Sequence, residues 1–412
     1  MTPTPAPASS AIPRGAIACL ALAAFASGLS LRVNDALLPR LVGEFGISLG
    51  QASQVIGVFA IAYGLAQLLF GPLGDRFGKY RVIAWACAAS AVTALLCAAA
   101  PGFDGLRVAR ALAGATAAAV IPLAMAWIGD VVPYEQRQPV LARFLIGQIV
   151  GLAGGVWLGG FAADHLTWRA PYVFIALLFA AVSVVLFALN RRLPAQARAM
   201  KRGDGSPLQR IVAEFGSVLS HSWARVILVL VFLEGVFLYG PFAFIASHVH
   251  HVFSLSLSAA GALVMVYGLG GLLFAVSSRH LVPRLGEAGL AKWGGTLMGA
   301  ALLAIGYGPA WQWSLVGCFV LGLGFYMMHN TLQVTATQMV PERRGAAVSA
   351  FASSFFLGQS AGVSLGGALV GVMGTAPFMV VGAVGVLAVA LVFVMALGRR
   401  ALALVPVAPA AP

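Results

Sequence analysis

Polar residues along this chain are confined to short intervals, and long apolar runs fill the stretches between them. Twelve such runs are read as spans 1–12: Ala16–Leu38, Ala52–Leu73, Val82–Ala100, Leu106–Ile128, Val140–Phe161, Pro171–Leu189, Val226–Ala246, Ser258–Val276, Leu290–Gly308, Ser314–Met339, Ala346–Met373 and Pro377–Leu397. Runs near 20 residues match a hydrocarbon core of about 30 Å. They are continuously apolar rather than alternating, which predicts helices instead of barrel strands, the two structures that satisfy a backbone in lipid. The expected fold is therefore an all-α integral membrane protein with twelve transmembrane helices. Residues 1–13 are mostly Pro, Ala, Ser and Thr and are expected to be a disordered tail, with a second tail at 401–412.

The longest connector, 191–224, is polar and basic and divides the spans six and six, so residues 14–190 and 225–400 are expected to form two bundles. A repeat crosses it. Phe144-Leu-Ile-Gly147-Gln148-Ile-Val-Gly151 in span 5 is echoed by Phe355-Phe-Leu-Gly358-Gln359-Ser-Ala-Gly362 in span 11, offset by 211 residues, with Gly155/Gly366 and Gly160/Gly371 in register. A weaker echo sets Asp75-Arg76-Phe-Gly78 beside Pro283-Arg284-Leu-Gly286. Duplicated six-helix halves related by an axis along the membrane normal are one plan for transporters.

Composition agrees with the pattern: 60% of residues are apolar and only 9% charged, too little polar surface for a soluble fold. The net charge of +13 is spread over alternate connectors, including Arg76, Lys79, Arg81, Arg137, Arg143, Arg191, Arg192, Lys201, Arg202, Arg279, Arg284, Arg343, Arg344, Arg399 and Arg400. By the positive-inside rule both termini are expected in the cytoplasm. The spread also excludes a nucleic-acid surface and leaves the lipid bilayer as partner. Arg14 and the apolar stretch after it fit either a signal peptide or an uncleaved first span, and the many spans that follow favour the second. Cys19, Cys87, Cys97 and Cys318 lie singly inside apolar runs and read as small packing residues. No phosphate-binding G-x-x-x-x-G-K-S/T loop and no nucleophile–base–orienter set occurs, so neither an ATP cofactor nor an enzyme is expected.

Charges inside apolar spans are costly and are functional candidates by default. Asp35 and Arg32 fall three residues apart in span 1, where they either pair or leave Asp35 to titrate with Asn34 beside it. Glu234 sits in mid-span 7 without a charged neighbour in sequence and is the first choice as proton carrier. Arg110 in span 4 either holds a carboxylate ionised or binds an anionic cargo. His329 in span 10 is either a proton-coupling residue or a packing residue, with Asn330 beside it. Tyr63, Gln67, Gln148, Tyr239, Tyr326, Gln333 and Gln359 are candidates for neutral hydrogen bonds to a cargo or between helices. His248-Val-His250-His251 offers imidazoles without a carboxylate partner, so a solvated loop is expected and no metal site. Gly147, Gly151, Gly155 and Gly159 recur every fourth residue, as do Gly358, Gly362 and Gly366. They suit tight helix packing, and are also candidates for a sliding seam between the halves.

Between spans 2 and 3 the chain reads Gly71-Pro-Leu-Gly-Asp75-Arg76-Phe-Gly78-Lys79-Tyr-Arg81. It resembles the G-x-x-x-D-R-x-G-R/K loop of the major facilitator superfamily. Arg110 and Gly114 resemble the family's R-x-x-x-G motif. Gly151-Leu-Ala-Gly154-Gly155-Val156-Trp-Leu-Gly159-Gly160 resembles its antiporter motif, with Val156 in place of the motif's proline. Together with Pro341-Glu-Arg343-Arg344-Gly345 these motifs resemble the drug:proton antiporter branch, which includes multidrug and sugar-efflux permeases. The resemblance implies two pseudo-symmetric six-helix bundles around a central cavity. It further implies proton-driven export of a small molecule across a bacterial inner membrane by rocker-switch alternating access, with spans 1, 4, 7 and 10 lining the path. It also places Asp75 close to the start of span 11 near Gly345, as a cytoplasmic latch between the halves, with Asp130 pairing Arg76 or Lys79. An uptake or exchange carrier for a small organic anion is the alternative, with Arg32 and Arg110 as its clamp. A monomer is expected.

Overall fold

The computed structural model describes residues 14–198 and 207–403; the expected tail at 1–13, residues 404–412 of the tail expected at 401–412, and Lys201 and Arg202 of the connector lie outside the described residues, while 401–403 end the last helix, Thr375–Ala403. The described chain is helical and without strands. Eleven helical runs among the described residues are long and apolar enough to cross a membrane. Ten of them are single spans. The eleventh, Leu257–Tyr307, has 51 residues and would reach roughly 75 Å if straight. It is not straight: at Gly286 the backbone leaves the helix with φ 63 and ψ 179, a conformation open to glycine but strained for other residues. Phe274 and Leu290, on either side of this break, share one buried cluster with Met327 of span 10. Spans 8 and 9 are thus two crossings joined without a loop, and the described chain makes twelve.

Two further boundaries differ from the sequence pattern. Span 1 is helical only to Arg32. Residues 33–37 form a tight turn, with Asp35 N–H donating to the Arg32 carbonyl at 3.1 Å and Leu37 N–H to the Asn34 carbonyl at 3.1 Å. A short helix, Leu38–Phe45, follows with Pro39 in its first turn, where a missing N–H costs nothing. Asp35 therefore sits on a turn and not within the helix of span 1. In the connector the described part is partly helical, Pro207–Ser220 forming a helix that leads into span 7 at Ser222. Span 7 contains one π turn, Gly235–Tyr239, directly after Glu234.

The glycine stripes explain how each half is packed. A Cβ on Gly147 would lie 2.4 Å from the Ala21 carbonyl oxygen, and one on Gly151 2.2 Å from that of Phe25. On Gly358 it would lie 2.0 Å from the Phe232 carbonyl oxygen and on Gly362 2.3 Å from that of Val236. The 211-residue repeat therefore reappears as the same contact made twice, span 5 on span 1 and span 11 on span 7. Both contacts are internal to one half, so these faces are not the seam between halves that the sequence also allowed. Past the π turn the register fails, and Gly366 meets the rings of Phe244 and Phe378 instead of a carbonyl.

The halves meet along spans 2 and 11 and along spans 5 and 8. Gly50 and Gly367 touch so closely that a Cβ on Gly50 would lie 1.9 Å from the Gly367 carbonyl oxygen. Ser360 Oγ donates to the Gly57 carbonyl at 2.9 Å, and Gly64 lies against Phe356 and Ser353. Two turns further along span 2, Gly71 has nothing within 4 Å of where a Cβ would stand. At the matching end of the 5/8 seam, Asp164 accepts from the backbone N–H groups of Leu257 at 3.2 Å and Ser258 at 2.6 Å. Carboxylates suit a helix N-terminus because they meet unpaired donors and the positive end of the dipole. The halves are therefore closed at the Asp164 end and apart at the Asp75 end.

Candidate functional site

At the open end, Gly78 has φ 86, the left-handed backbone that the turn between spans 2 and 3 requires. Lys79 reaches both Asp75, at 3.5 Å, and Asp130 of span 4. All three belong to the first half. Pro341–Gly345, at the start of span 11, are exposed, and Gly345 has nothing within 4 Å of where a Cβ would stand. The expected latch from Asp75 to span 11 is therefore not made in this conformation, because the halves are apart where it would form. Arg76 lies over the ring of its neighbour Phe77 at 5.2 Å.

Deeper in, the first half holds a polar knot. Arg110 is 1% exposed, and donates to the Ser30 carbonyl at 3.0 Å and the Val55 carbonyl at 3.3 Å. Its guanidinium stands 4.1 Å from the Phe59 ring centroid. Asn34 joins it: in the amide orientation that suits both neighbours, the oxygen accepts from Arg110 at 3.0 and 3.2 Å and the NH2 donates to the Tyr172 hydroxyl. Arg110 thus ties spans 1, 2 and 4 together through a fork that lysine lacks. Among the described residues no carboxylate comes within ion-pair distance of it. In this conformation its donors serve two backbone carbonyls and Asn34, the geometry of a structural tie between spans.

In the second half, Glu234 is wholly buried and its Oε2 lies 2.7 Å from Nδ1 of His329. The residue without a charged neighbour in sequence acquires a hydrogen-bonding imidazole partner across 95 positions of chain. The other oxygen, Oε1, has no hydrogen-bond partner among the described residues. The imidazole is sandwiched by Phe325 at 4.7 Å, Phe355 at 4.6 Å and Phe351 at 5.4 Å between ring centroids.

A third group joins the halves. Arg32 Nη1 lies 3.3 Å from Asp35 Oδ2, both side chains buried. The guanidinium carbon also stands 4.1 Å from the ring centroid of Tyr239 and 4.9 Å from that of Phe242, in the other half. Tyr239 and Tyr267 share a hydroxyl contact of 3.0 Å. Tyr239 packs edge-on against Phe355 at 5.3 Å and Phe325 at 5.6 Å. An unbroken chain of contacts therefore runs from Asp35 through Arg32, Tyr239 and the phenylalanines to His329 and Glu234. The small cavity beside it, about 20 Å³, is lined by Arg32, Tyr239, Phe242, Tyr267, Tyr326 and the apolar faces of spans 5 and 8.

The remaining sequence candidates are placed differently. Tyr63 packs against Phe356, ring centroids 4.3 Å apart and planes tilted by 40°, within the 2/11 seam. Gln67 and Gln359 are buried, and both amide atoms of Gln359 lack partners among the described residues. Gln148 and Gln333 are half-buried and Asn330 is exposed. None of these six lines the cavity beside Arg32. His248 does not belong to a solvated loop. It is 2% exposed, with Nδ1 2.8 Å from the Thr375 hydroxyl and Nε2 3.1 Å from the Ile305 carbonyl, so it fastens span 7 to its neighbours. Among the described residues no cluster of metal-ligating side chains occurs. Sequence reading missed Phe59, Tyr172, Phe242, Tyr267, Phe325 and Phe355, since an aromatic residue in an apolar run carries no distinguishing signal.

This architecture is matched by comparison with known proteins. The profile of the Major Facilitator Superfamily matches residues 20–353. The chain belongs to that superfamily. It is similar to the uncharacterized MFS-type transporter YceJ of Bacillus subtilis (strain 168), 26% identical over 352 residues, which span 84% of this chain and 86% of that one. It is also similar to the multidrug export protein EmrB of Escherichia coli (strain K12), 28% identical over 200 residues, or 48% of this chain and 39% of that one. Among solved structures, the nucleoside transporter NupG superimposes with a TM-score of 0.73 at 14% identity, covering 93% of this chain and 99% of that one. The human organic anion transporter MFSD10 gives 0.69 at 17% identity, covering 95% and 100%. The superfamily member described here is thus a multi-pass membrane transporter and not an enzyme. Some of its relatives are multidrug exporters.

Proposed function

We propose that this protein exports a small organic molecule across a bacterial inner membrane, driven by protons, through alternating access between its two halves. The observation that carries the reading is the Glu234–His329 pair, fully buried on the glutamate side and linked by aromatic contacts to Arg32 at the junction. A Glu–His pair without an added proton carries net negative charge into a medium of low dielectric. With one proton the pair is neutral, which removes most of the cost of enclosing it. Protonation can therefore gate the swing of one half against the other, as coupling requires.

The direction of transport rests on the relatives named as multidrug export proteins and on the cation-rich connectors, which support a cytoplasmic position for the Asp75 end. With that orientation the open end faces the cytoplasm in this conformation. The test is pH-jump transport in proteoliposomes with a fluorescent dye as cargo. Wild type is expected to move dye against its gradient when the proton gradient is imposed, and Glu234→Gln to lose that drive while still exchanging dye for dye. Gradient-driven transport by Glu234→Gln at the wild-type rate would overturn the reading. A second reading, a carrier for a small organic anion, is favoured by Arg32 lining the cavity.

A further inference from the structure

Among the described residues, the cavity between the halves has one charged lining residue, Arg32, and three tyrosines, Tyr239, Tyr267 and Tyr326. Its other walls are the Phe242 ring and aliphatic side chains of spans 5 and 8. Arg32 is loosely held. Its contact with Asp35 uses one nitrogen at 3.3 Å, longer than the 2.7–2.9 Å of a well-formed charge-assisted bond. A guanidinium carries five N–H donors in a planar fork, and the central carbon of this one stands 4.1 Å from the Tyr239 ring centroid and 4.9 Å from that of Phe242. Asp35 Oδ1 is buried without a partner among the described residues, so the ion pair is incomplete on the carboxylate side as well.

We infer that this cavity binds an aromatic carboxylate, its carboxyl on the free edge of the Arg32 fork and its ring among Tyr239, Phe242, Tyr267 and Tyr326. The chemistry selects that class. A cationic ligand meets Arg32 with no lining carboxylate to offset it. A neutral aromatic molecule fills the ring space but leaves the fork unused. An aliphatic acid uses the fork but forgoes edge-to-face contact with rings already arranged edge-on, Phe242 against Tyr267 at 4.9 Å. At about 20 Å³ the space is closed on roughly one water in this conformation. Its walls come from the 5/8 seam, and parting of spans 5 and 8 is the movement that enlarges it. The inference rests on the transport reading of the same cavity, and names the cargo class for it.

The test is equilibrium binding without any gradient, using the full chain in lipid nanodiscs and 1-naphthoate as probe. Cyclohexanecarboxylate, benzyl alcohol and benzyltrimethylammonium serve as competitors. Naphthoate is expected to bind, to be displaced at least tenfold less well by each competitor than by itself, and to weaken at least tenfold in both Arg32→Gln and Tyr239→Leu. Arg32→Lys is expected to retain part of the affinity, since it keeps the charge without the fork, which separates lost recognition from lost folding. Unchanged naphthoate affinity in folded Arg32→Gln, or displacement by benzyltrimethylammonium as good as by naphthoate, overturns the assignment. The two readings fail separately. Naphthoate binding without proton-driven transport sinks only the coupling, whereas proton-driven dye export without naphthoate binding sinks only the cargo class.

Discussion

The Asp164 carboxylate in the first half accepts the backbone N–H of Ser258 in the second at 2.6 Å, and that of Leu257 at 3.2 Å. The end of one half thereby caps the first turn of a helix in the other. Losing such a cap costs about 1 kcal/mol, so Asp164→Ala should shift the balance between closed and open at this end by roughly fivefold. The native cysteines are all buried, which leaves a clean background for a reporter. Ser53→Cys, at a position 1% exposed beside Gly367, should react several times faster with a membrane-impermeant maleimide when Asp164→Ala is added. Equal rates would mean that the Gly50–Gly367 contact closes this end unaided.

Glu234 and His329 are expected to act as one proton site. Glu234→Gln and His329→Gln should each abolish the pH dependence of dye transport, and the double variant should be no worse than either single one, because groups that work as a unit are not additive. Rates as a function of pH for the three variants decide this. Multiplicative losses would show two independent sites.

Arg110 is expected to matter for stability before transport. Replacing it by Ala leaves the buried carbonyls of Ser30 and Val55 without these donors, at about 1–3 kcal/mol for each. Thermal unfolding in detergent should show a large fall for Arg110→Ala and a smaller one for Arg110→Lys. A wild-type unfolding temperature with lost transport would instead mark Arg110 as part of the transport chemistry.

The glycines of span 2 are expected to report on different states. Gly50→Ala places a methyl group into the Gly367 carbonyl and should destabilise this conformation by about 1–3 kcal/mol. Gly71→Ala meets nothing here and should leave stability unchanged, while slowing turnover if span 11 closes onto Gly71 in the opposite state. Thermal unfolding paired with transport rates separates the two. Loss of stability in Gly71→Ala would contradict the open end seen here.

Much of the architecture was legible in the sequence because lipid permits few solutions. Apolar runs gave the spans, and the four-residue glycine spacing with its 211-residue echo marked surfaces of close approach. What those glycines touch was not legible. Gly151 and Gly362 packed within their own halves, a choice made by the opposing backbones of Phe25 and Val236. The site was legible as a set of costly residues but not as pairs. Glu234 and His329 lie on different spans, and one polar residue per span carries no record of its partner. Asp35 was read into a helix because the turn at 33–37 contains no glycine or proline to announce it. The boundary between spans 8 and 9 was legible in the polar interval around Arg279 and Arg284, but its helical form, broken only at Gly286, was not.

The π turn at Gly235–Tyr239 begins directly after Glu234 and ends on Tyr239, and so links the Glu234–His329 pair to the ring that faces Arg32. A π turn holds one residue more than an α turn. Tightening it would swing the chain beyond by about 100°, carrying Tyr239 off the guanidinium while Glu234 stays against His329. If the proposed coupling holds, a single backbone irregularity would serve as a gear between the Glu234–His329 pair and the surface that would grip the load.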